Sequence, residues 1–283
     1  MHTTEELHQI ARRVRLHILQ AVYRAQGGHI GGPLSATDML VALYFQILNI
    51  DPSNPAWPER DRFILSKGHS CLAQYAVMAE RGYFPLAELE TFDLLDSRLQ
   101  GHPDMSKLPG LDMSSGSLGQ GLSAGVGIAL GAKLRGLDFT TYVMLGDGES
   151  QEGQVWEAAF IAARYRLDNL IAILDLNGLQ QYGWREPGLP YPPVDDPCQK
   201  WQAFGWQVHA VDGHDIPAFI EAVRQAQQTT GRPTMIVAHT VKGKGVSFME
   251  NDYLWHARIP TEAELRAALD EVSAGAMERQ VTR

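Results

Sequence analysis

Apolar positions recur at helical spacing through Leu7, Ile10, Ala11, Val14, Ile18, Ala21 and Val22, which predicts an amphipathic first helix. Thr3-Thr4-Glu5-Glu6 supplies a capping box at its start, and Gly27-Gly28 stops it. Further along, short apolar runs alternate with helical patterns. Residues 62–65, 141–145, 170–174, 206–211 and 234–238 read as strands. Residues 35–48, 70–82, 119–134, 153–165, 216–228 and 261–272 read as helices, and 86–95 as one more. The 119–134 segment is rich in Gly and Ala, which suits a helix packed close to its neighbours. Residues 184–197, rich in Pro and Gly, read as an irregular loop. Strands alternating with helices predict an α/β fold: a mainly parallel sheet with helices on both faces. No repeat, low-complexity tract or internal linker interrupts the pattern. One domain over 1–283 is expected, with a C-terminal helix and short tail from about 261.

Composition narrows the function classes. A chain of 283 residues, 45% hydrophobic, can bury a full core. A net charge of −9 argues against nucleic-acid binding, and Lys242 with Lys244 makes only a small basic spot. Cys71 and Cys198 offer neither zinc spacing nor a disulfide framework, which fits a reducing compartment. No basic, then apolar, leader opens the chain, and no run approaches the ~18 residues of a membrane span. A cytoplasmic protein is expected.

The chemistry concentrates at strand exits. Gly146-Asp147-Gly148-Glu149 follows one apolar run, and Asn177 closes the next, 30 residues after Asp147. A right-handed helical crossover places both exits on the same edge of the sheet, where ligands of open α/β sheets bind. Magnesium prefers hard oxygen donors shared with substrate phosphates, and Asp147 and the Asn177 amide suit that role. The glycines allow close phosphate approach, and the next helix offers free N–H groups. An ordinary Asp-Gly turn explains the four residues as well. Gly125-Val-Gly127-Ile-Ala-Leu-Gly131 has the wrong spacing for a dinucleotide fingerprint, and Gly27–Gly32 lacks the Lys-Ser/Thr of a P-loop. His29, His69, His102 and His256 each sit in loop contexts, three beside glycine, where imidazoles can shuttle protons or bind oxygen-rich substrates. Their spacing is not that of a zinc site. His214 and His239 read as structural.

These segments resemble the N-terminal half of transketolase, and more closely the N-terminal subunit of a split, two-subunit transketolase. The resemblance rests on Gly27-Gly-His-Ile-Gly-Gly-Pro33, Leu65-Ser-Lys-Gly-His69, Gly101-His-Pro103 and Gly116-Ser-Leu-Gly-Gln-Gly121. It continues through Gly146-Asp-Gly-Glu-Ser-Gln-Glu-Gly153, Asp175-Leu-Asn177, Asp212-Gly-His-Asp215 and Thr240-Val-Lys-Gly-Lys-Gly-Val246, all in the family's order. It implies a thiamine diphosphate (ThDP) diphosphate-binding domain and transfer of a two-carbon ketol unit from a ketose to an aldose.

The resemblance also implies roles. Asp147, Asn177 and the Leu179 carbonyl would hold magnesium, calcium or manganese. Gly148, His69 and His256 would contact the cofactor, and Gly116, Ser117 and Leu118 its aminopyrimidine. His29, His102 and His256 would face the sugar. Glu152 matches a glutamate at the family's subunit interface. Two departures stand out: Asp-Leu-Asn-Gly lacks a double Asn, and Trp255-His-Ala-Arg replaces a usual Gly-Lys after the histidine. The family's activating glutamate belongs to a pyrimidine-binding domain, so a separate C-terminal subunit, in an α2β2 assembly, is the implied partner. Two other readings remain: the same chemistry on a branched-chain or sulfonated ketose, and a non-catalytic ThDP-binding or regulatory module.

Overall fold

The computed structural model describes residues 2–181 and 196–274. The expected loop at 184–197, but for its last two residues, and the tail beyond 274 lie outside the described residues. Five strands form one fully parallel sheet: β1 (Arg62–Leu65), β2 (Thr141–Gly146), β3 (Leu170–Leu176), β4 (Gln207–Asp212) and β5 (Thr234–His239). Their spatial order is β1-β2-β3-β5-β4. Side chains alternate across the strands. Phe63, Leu65, Tyr142, Met144, Ile171, Ile173 and Ile236 enter one core. It is shared with α1 (Thr4–Ala25), α2 (Gly31–Ala42), α3 (Cys71–Arg81), α7 (Ile216–Gln227) and α8 (Glu262–Ala274). Ile64, Val143, Leu145, Ala172, Leu174, Met235 and Val237 enter the other, covered by α4 (Gln120–Arg135), α5 (Gly153–Arg164) and α6 (Pro197–Ala203). The α/β class with helices on both faces is thus observed.

The helix starts and stops are physical. Thr3 and Glu6 form the expected capping box, with Glu6 N to Thr3 Oγ1 at 3.2 Å and Thr3 N to Glu6 Oε2 at 2.7 Å. The glycine-rich helix α4 packs as its composition suggests. A Cβ on Gly121 would stand 2.3 Å from Ser66 Oγ, and one on Gly125 2.4 Å from Val143 Cγ2, so only glycine lets α4 lie this close to the sheet.

Three expectations are corrected. The second helix begins at Gly31, not 35, because proline is tolerated in a first turn and Gly31 and Gly32 lie inside the helix. It gives way to a π-helical turn at Leu43–Ile47. The segment 86–95 forms only a 3-10 helix, Leu86–Thr91, after which Asp93 and Asp96 take left-handed φ of 56° and 66° and break it. The short α6 is not anticipated by the pattern: with Trp201 as its one fully buried side chain, it shows no helical period.

Candidate active site

The carboxyl ends of β1, β2, β3 and β5 converge on one cavity of about 440 Å³, as expected at the strand exits of an open α/β sheet. Two buried carboxylates hold its walls. Asp175, fully buried at the end of β3, accepts hydrogen bonds from Lys67 Nζ, from Thr240 Oγ1 and, at 2.7 Å, from Ser35 Oγ. It thereby ties the exits of β1 and β5 to α2. Burial pushes its pKa up, but the Lys67 ammonium prevails and holds it below the usual range. Glu149 accepts from Ser66 Oγ, from Gly119 N at 2.8 Å and from Gly146 N at 3.1 Å, which fastens the turn before α4 to the end of β2.

The predicted oxygen clamp assembles between these walls. Asp147 Oδ1 accepts from Gly148 N at 2.8 Å and Oδ2 from Gly178 N at 2.7 Å. Asn177 Oδ1 accepts from Leu179 N at 3.1 Å. Burial, then the neighbouring Asp175 charge, pushes the Asp147 carboxyl up to about 6. A desolvated carboxylate so poorly compensated fits a site for a cation, since Lys67 is already engaged by Asp175. Among the described residues no group of three or more His, Cys, Asp or Glu is placed to hold a metal. An ion here would therefore rely on one carboxylate, an amide and a carbonyl oxygen, with a ligand's oxygens completing its shell, a donor set that suits a hard divalent cation.

The four predicted histidines, far apart in the chain, come together above this clamp. The His29 ring lies 5.0 Å from His69, 5.1 Å from His256 and 6.2 Å from His102, and His69 lies 5.1 Å from His256. Burial, followed by nearby positive charge, lowers His29 to about 4, His69 to about 2 and His256 to about 3. At neutral pH these imidazoles are uncharged, and each offers one donor and one acceptor, which suits a polyhydroxylated ligand. An NMR titration of the isolated chain is expected to show all three unprotonated from about pH 8 to about pH 5, whereas an exposed imidazole titrates near 6.5. Because the unfolded chain binds these protons first, their contribution to stability is full above about 6.5 and falls as pH drops toward the folded values. Titration midpoints near 6.5 in the folded chain would refute the assignment.

Other predicted residues are placed as follows. Gly116, Leu118, Gly148, Asn177 and Leu179 line the cavity. Ser117 is exposed and outside the lining, and Glu152 is exposed at the N-cap of α5. Lys242 and Lys244 do not form one basic spot. Lys242 is 2% exposed and turned into the cavity, with Nζ 2.9 Å from His256 Nδ1 and 3.3 Å from the Leu179 carbonyl oxygen, while Lys244 pairs with Glu250 at the surface. Burial, then Lys67, lowers Lys242 to about 8. Lys67, Lys242, Glu149 and Asp175 escape the sequence reading as site residues. The two lysines stand beside His69 and within Thr240–Val246, and a lysine flanked by glycine at a strand exit was the available signal.

Residues 7–272 match the family model described as transketolase, thiamine diphosphate binding domain. The chain belongs to the transketolase family. Transketolases are enzymes that transfer ketol groups, and this chain carries the family's thiamine diphosphate binding domain. It is 45% identical over 267 residues to a 6-deoxy-6-sulfo-D-fructose transketolase subunit of Clostridium sp. (strain MSTE9), covering 94% of this chain and 96% of that one. It is 40% identical over 269 residues to an apulose-4-phosphate transketolase subunit of Phocaeicola vulgatus, covering 95% and 94%. A transketolase structure from Pichia stipitis superposes with a TM-score of 0.85 at 29% identity, covering 99% of this chain and 45% of that one. The chain thus spans less than half of that transketolase and nearly all of the separately named subunits. No helix among the described residues is long and apolar enough to cross a membrane.

Proposed function

We propose that this chain is the diphosphate-binding subunit of a two-subunit, ThDP-dependent transketolase, acting with a separate pyrimidine-domain subunit in the cytoplasm. The observation that carries the reading is the cavity that joins the Asp147–Asn177–Leu179 oxygen set to Lys67, Lys242 and a cluster of neutral histidines. Asp147, Asn177 and the Leu179 carbonyl would hold a divalent ion, magnesium being the natural choice for oxygen donors shared with a diphosphate. Gly148 and His256 would contact the diphosphate end, His69 would also contact the cofactor, and Gly116, Ser117 and Leu118 would line the aminopyrimidine. ThDP, when bound, supplies the nucleophile that accepts and releases the two-carbon unit. The chain's own residues position and exclude. His29, His102 and His256 would hold the sugar hydroxyls, and His29 and His256, neutral at working pH, would move protons between oxygens without adding charge.

Two features support a partner chain. The relatives of matching length are named as subunits. Helix α5 also exposes apolar side chains, Phe160 at 57% and Ile161 at 37%, which border one shallow surface hollow together with Gly153, the residue after Glu152. An exposed apolar patch of this kind marks an interaction surface. Glu152 would then meet the partner, not the substrate.

The relatives' names favour one substrate class. The similar subunits are named for 6-deoxy-6-sulfo-D-fructose and for apulose-4-phosphate, so we assign a modified ketose as the donor. Incubating the co-purified pair with sulfonated, branched and ordinary ketose phosphates, plus an aldose acceptor, tests this. Preferred turnover of a modified donor is expected, and a preference of tenfold or so for an ordinary donor, about 1.4 kcal/mol, would overturn it.

A further inference from the structure

The motif Asp212-Gly-His-Asp215 has no place in the cavity, yet its histidine is wired to it. Asp38, buried on α2, takes both arms of the Arg15 guanidinium, with Nη2 to Oδ2 at 2.6 Å and Nη1 to Oδ1 at 3.0 Å. Its Oδ2 also lies 2.8 Å from His214 Nδ1. Burial pushes this carboxyl up, but Arg15 and His214 outweigh it and hold it well below the carboxylate range. The opposite ring nitrogen, His214 Nε2, accepts a 2.8 Å hydrogen bond from the Val241 N–H. Arg15 Nε reaches the Lys244 carbonyl at 3.0 Å. One buried carboxylate therefore anchors, through two different side chains, the backbone on both sides of Lys242.

Further backbone groups of this turn are clamped as well. Gly243 N donates to the Gly31 carbonyl at 3.1 Å, and the Lys242 carbonyl accepts from Asn251 N at 3.0 Å. A Cβ on Gly31 would stand 2.9 Å from Lys242 Cγ, so the lysine stem lies directly against the start of α2. With its stem confined, the ammonium is delivered between His256 Nδ1 at 2.9 Å and the Leu179 carbonyl oxygen at 3.3 Å.

We propose that His214 is a positioning residue for Lys242, and through Lys242 sets which ring nitrogen of His256 faces the cavity as a donor. The chemistry follows from donor and acceptor rules. An amide N–H only donates, so His214 Nε2 is bare and its proton sits on Nδ1, directed at Asp38. An ammonium likewise only donates, so His256 Nδ1 is bare and Nε2 carries the proton. The two histidines hold opposite tautomers, and the second depends on the first through the placement of Lys242. A tautomer is commonly set by the bond its other nitrogen makes; here the controlling contact is itself controlled from 27 residues earlier in the chain, across the Val241 amide. The effect on cofactor binding rests on the functional reading above, and the tautomers do not.

Long-range proton–nitrogen NMR of the isolated chain at neutral pH tests the tautomers without cofactor. His214 is expected protonated at Nδ1 and His256 at Nε2; the reverse pattern in either overturns the proposal. In His214→Leu, which loses both bonds, the His256 signals should shift as they do in Lys242→Met, and the double variant should match Lys242→Met alone. His214→Gln, which retains an acceptor for Val241 N–H, should restore most of the native pattern. Thermal melting separates a folded variant from a collapsed one, and if His214→Leu does not fold, Asp38→Asn and the wild-type tautomers carry the test. An unchanged His256 pattern in a folded His214→Leu chain also overturns the proposal. In the complex with its partner, each single variant should weaken ThDP binding on the order of tenfold, the scale of outer-shell positioning residues. Coupled residues do not add, so the double variant should be no weaker than Lys242→Met within about twofold. Multiplying effects would show independent roles and refute the coupling. Absence of any ThDP binding by the wild-type complex would refute the functional reading while leaving the tautomer result standing.

Discussion

Replacing Asp147 by alanine is expected to abolish divalent-ion-dependent ThDP binding by the complex, with a loss of affinity on the order of 100-fold or more, beyond the roughly 10–100-fold typical of outer-shell changes. In the described cavity lining, Glu149 is committed to Ser66 and two backbone amides in the wall, whereas Asp147 stands beside Asn177 and Leu179 with one backbone amide on each carboxylate oxygen and its carboxyl raised by burial. Its removal leaves Asn177 and the Leu179 carbonyl as neutral donors that cannot balance a divalent charge. Because the raised pKa of about 6 reflects burial and the Asp175 charge, the wild-type complex should also lose cofactor affinity as pH falls through that value, when a proton replaces the ion. Calorimetry with ThDP and magnesium, against magnesium-free buffer, measures both effects. An unchanged affinity in Asp147→Ala would remove Asp147 from the ligand set.

The isolated chain is expected to show less than about 1% of the ketol transfer of the reconstituted pair, the scale on which losing one acid–base group slows a reaction. Activation of ThDP needs a carboxyl group at its aminopyrimidine. The acidic residues of the described cavity lining are Asp147 and Glu149, and hydrogen bonds to backbone amides and Ser66 occupy both. Gly116 and Leu118, proposed to meet the aminopyrimidine, bring no carboxyl group. Adding the partner subunit should restore turnover, and titrating it should show saturation at a fixed ratio. Full turnover by the chain alone would refute the split-site reading.

Much of the fold is legible in the order of residues. Strand and helix periods survive in the sequence because each residue's face is dictated by local geometry, period two in a strand and 3.6 in a helix. Asp147 and Asn177 are legible because a strand exit is a local feature and parallel strands must share one. The histidines are legible as candidates because each sits in a connection between elements, although His69 and His256 prove to lie in short 3-10 turns, Gly68–Ser70 and Tyr253–His256. The segment at 86–95 misleads because its apolar spacing suits a helix, whereas the left-handed Asp93 is held by tertiary contacts such as Gly101 N to Asp93 Oδ1 at 3.1 Å. The start of α2 misleads because Gly31 and Gly32 look like breakers, while the fold uses them for close approach to Lys242 and Ser70.

By itself, then, the sequence determined an α/β chain of the transketolase type, with its oxygen donors at the ends of two neighbouring strands. It could not show that Lys242 is buried beside His256 while Lys244, two residues on, reaches solvent. Nor could it show that Asp175 holds Lys67 and leaves Asp147 short of a counter-charge, or that His214 steers a distant lysine. Only the tertiary structure decided these, because burial and charge pairing depend on which residues, dozens of positions apart, are packed out of water together.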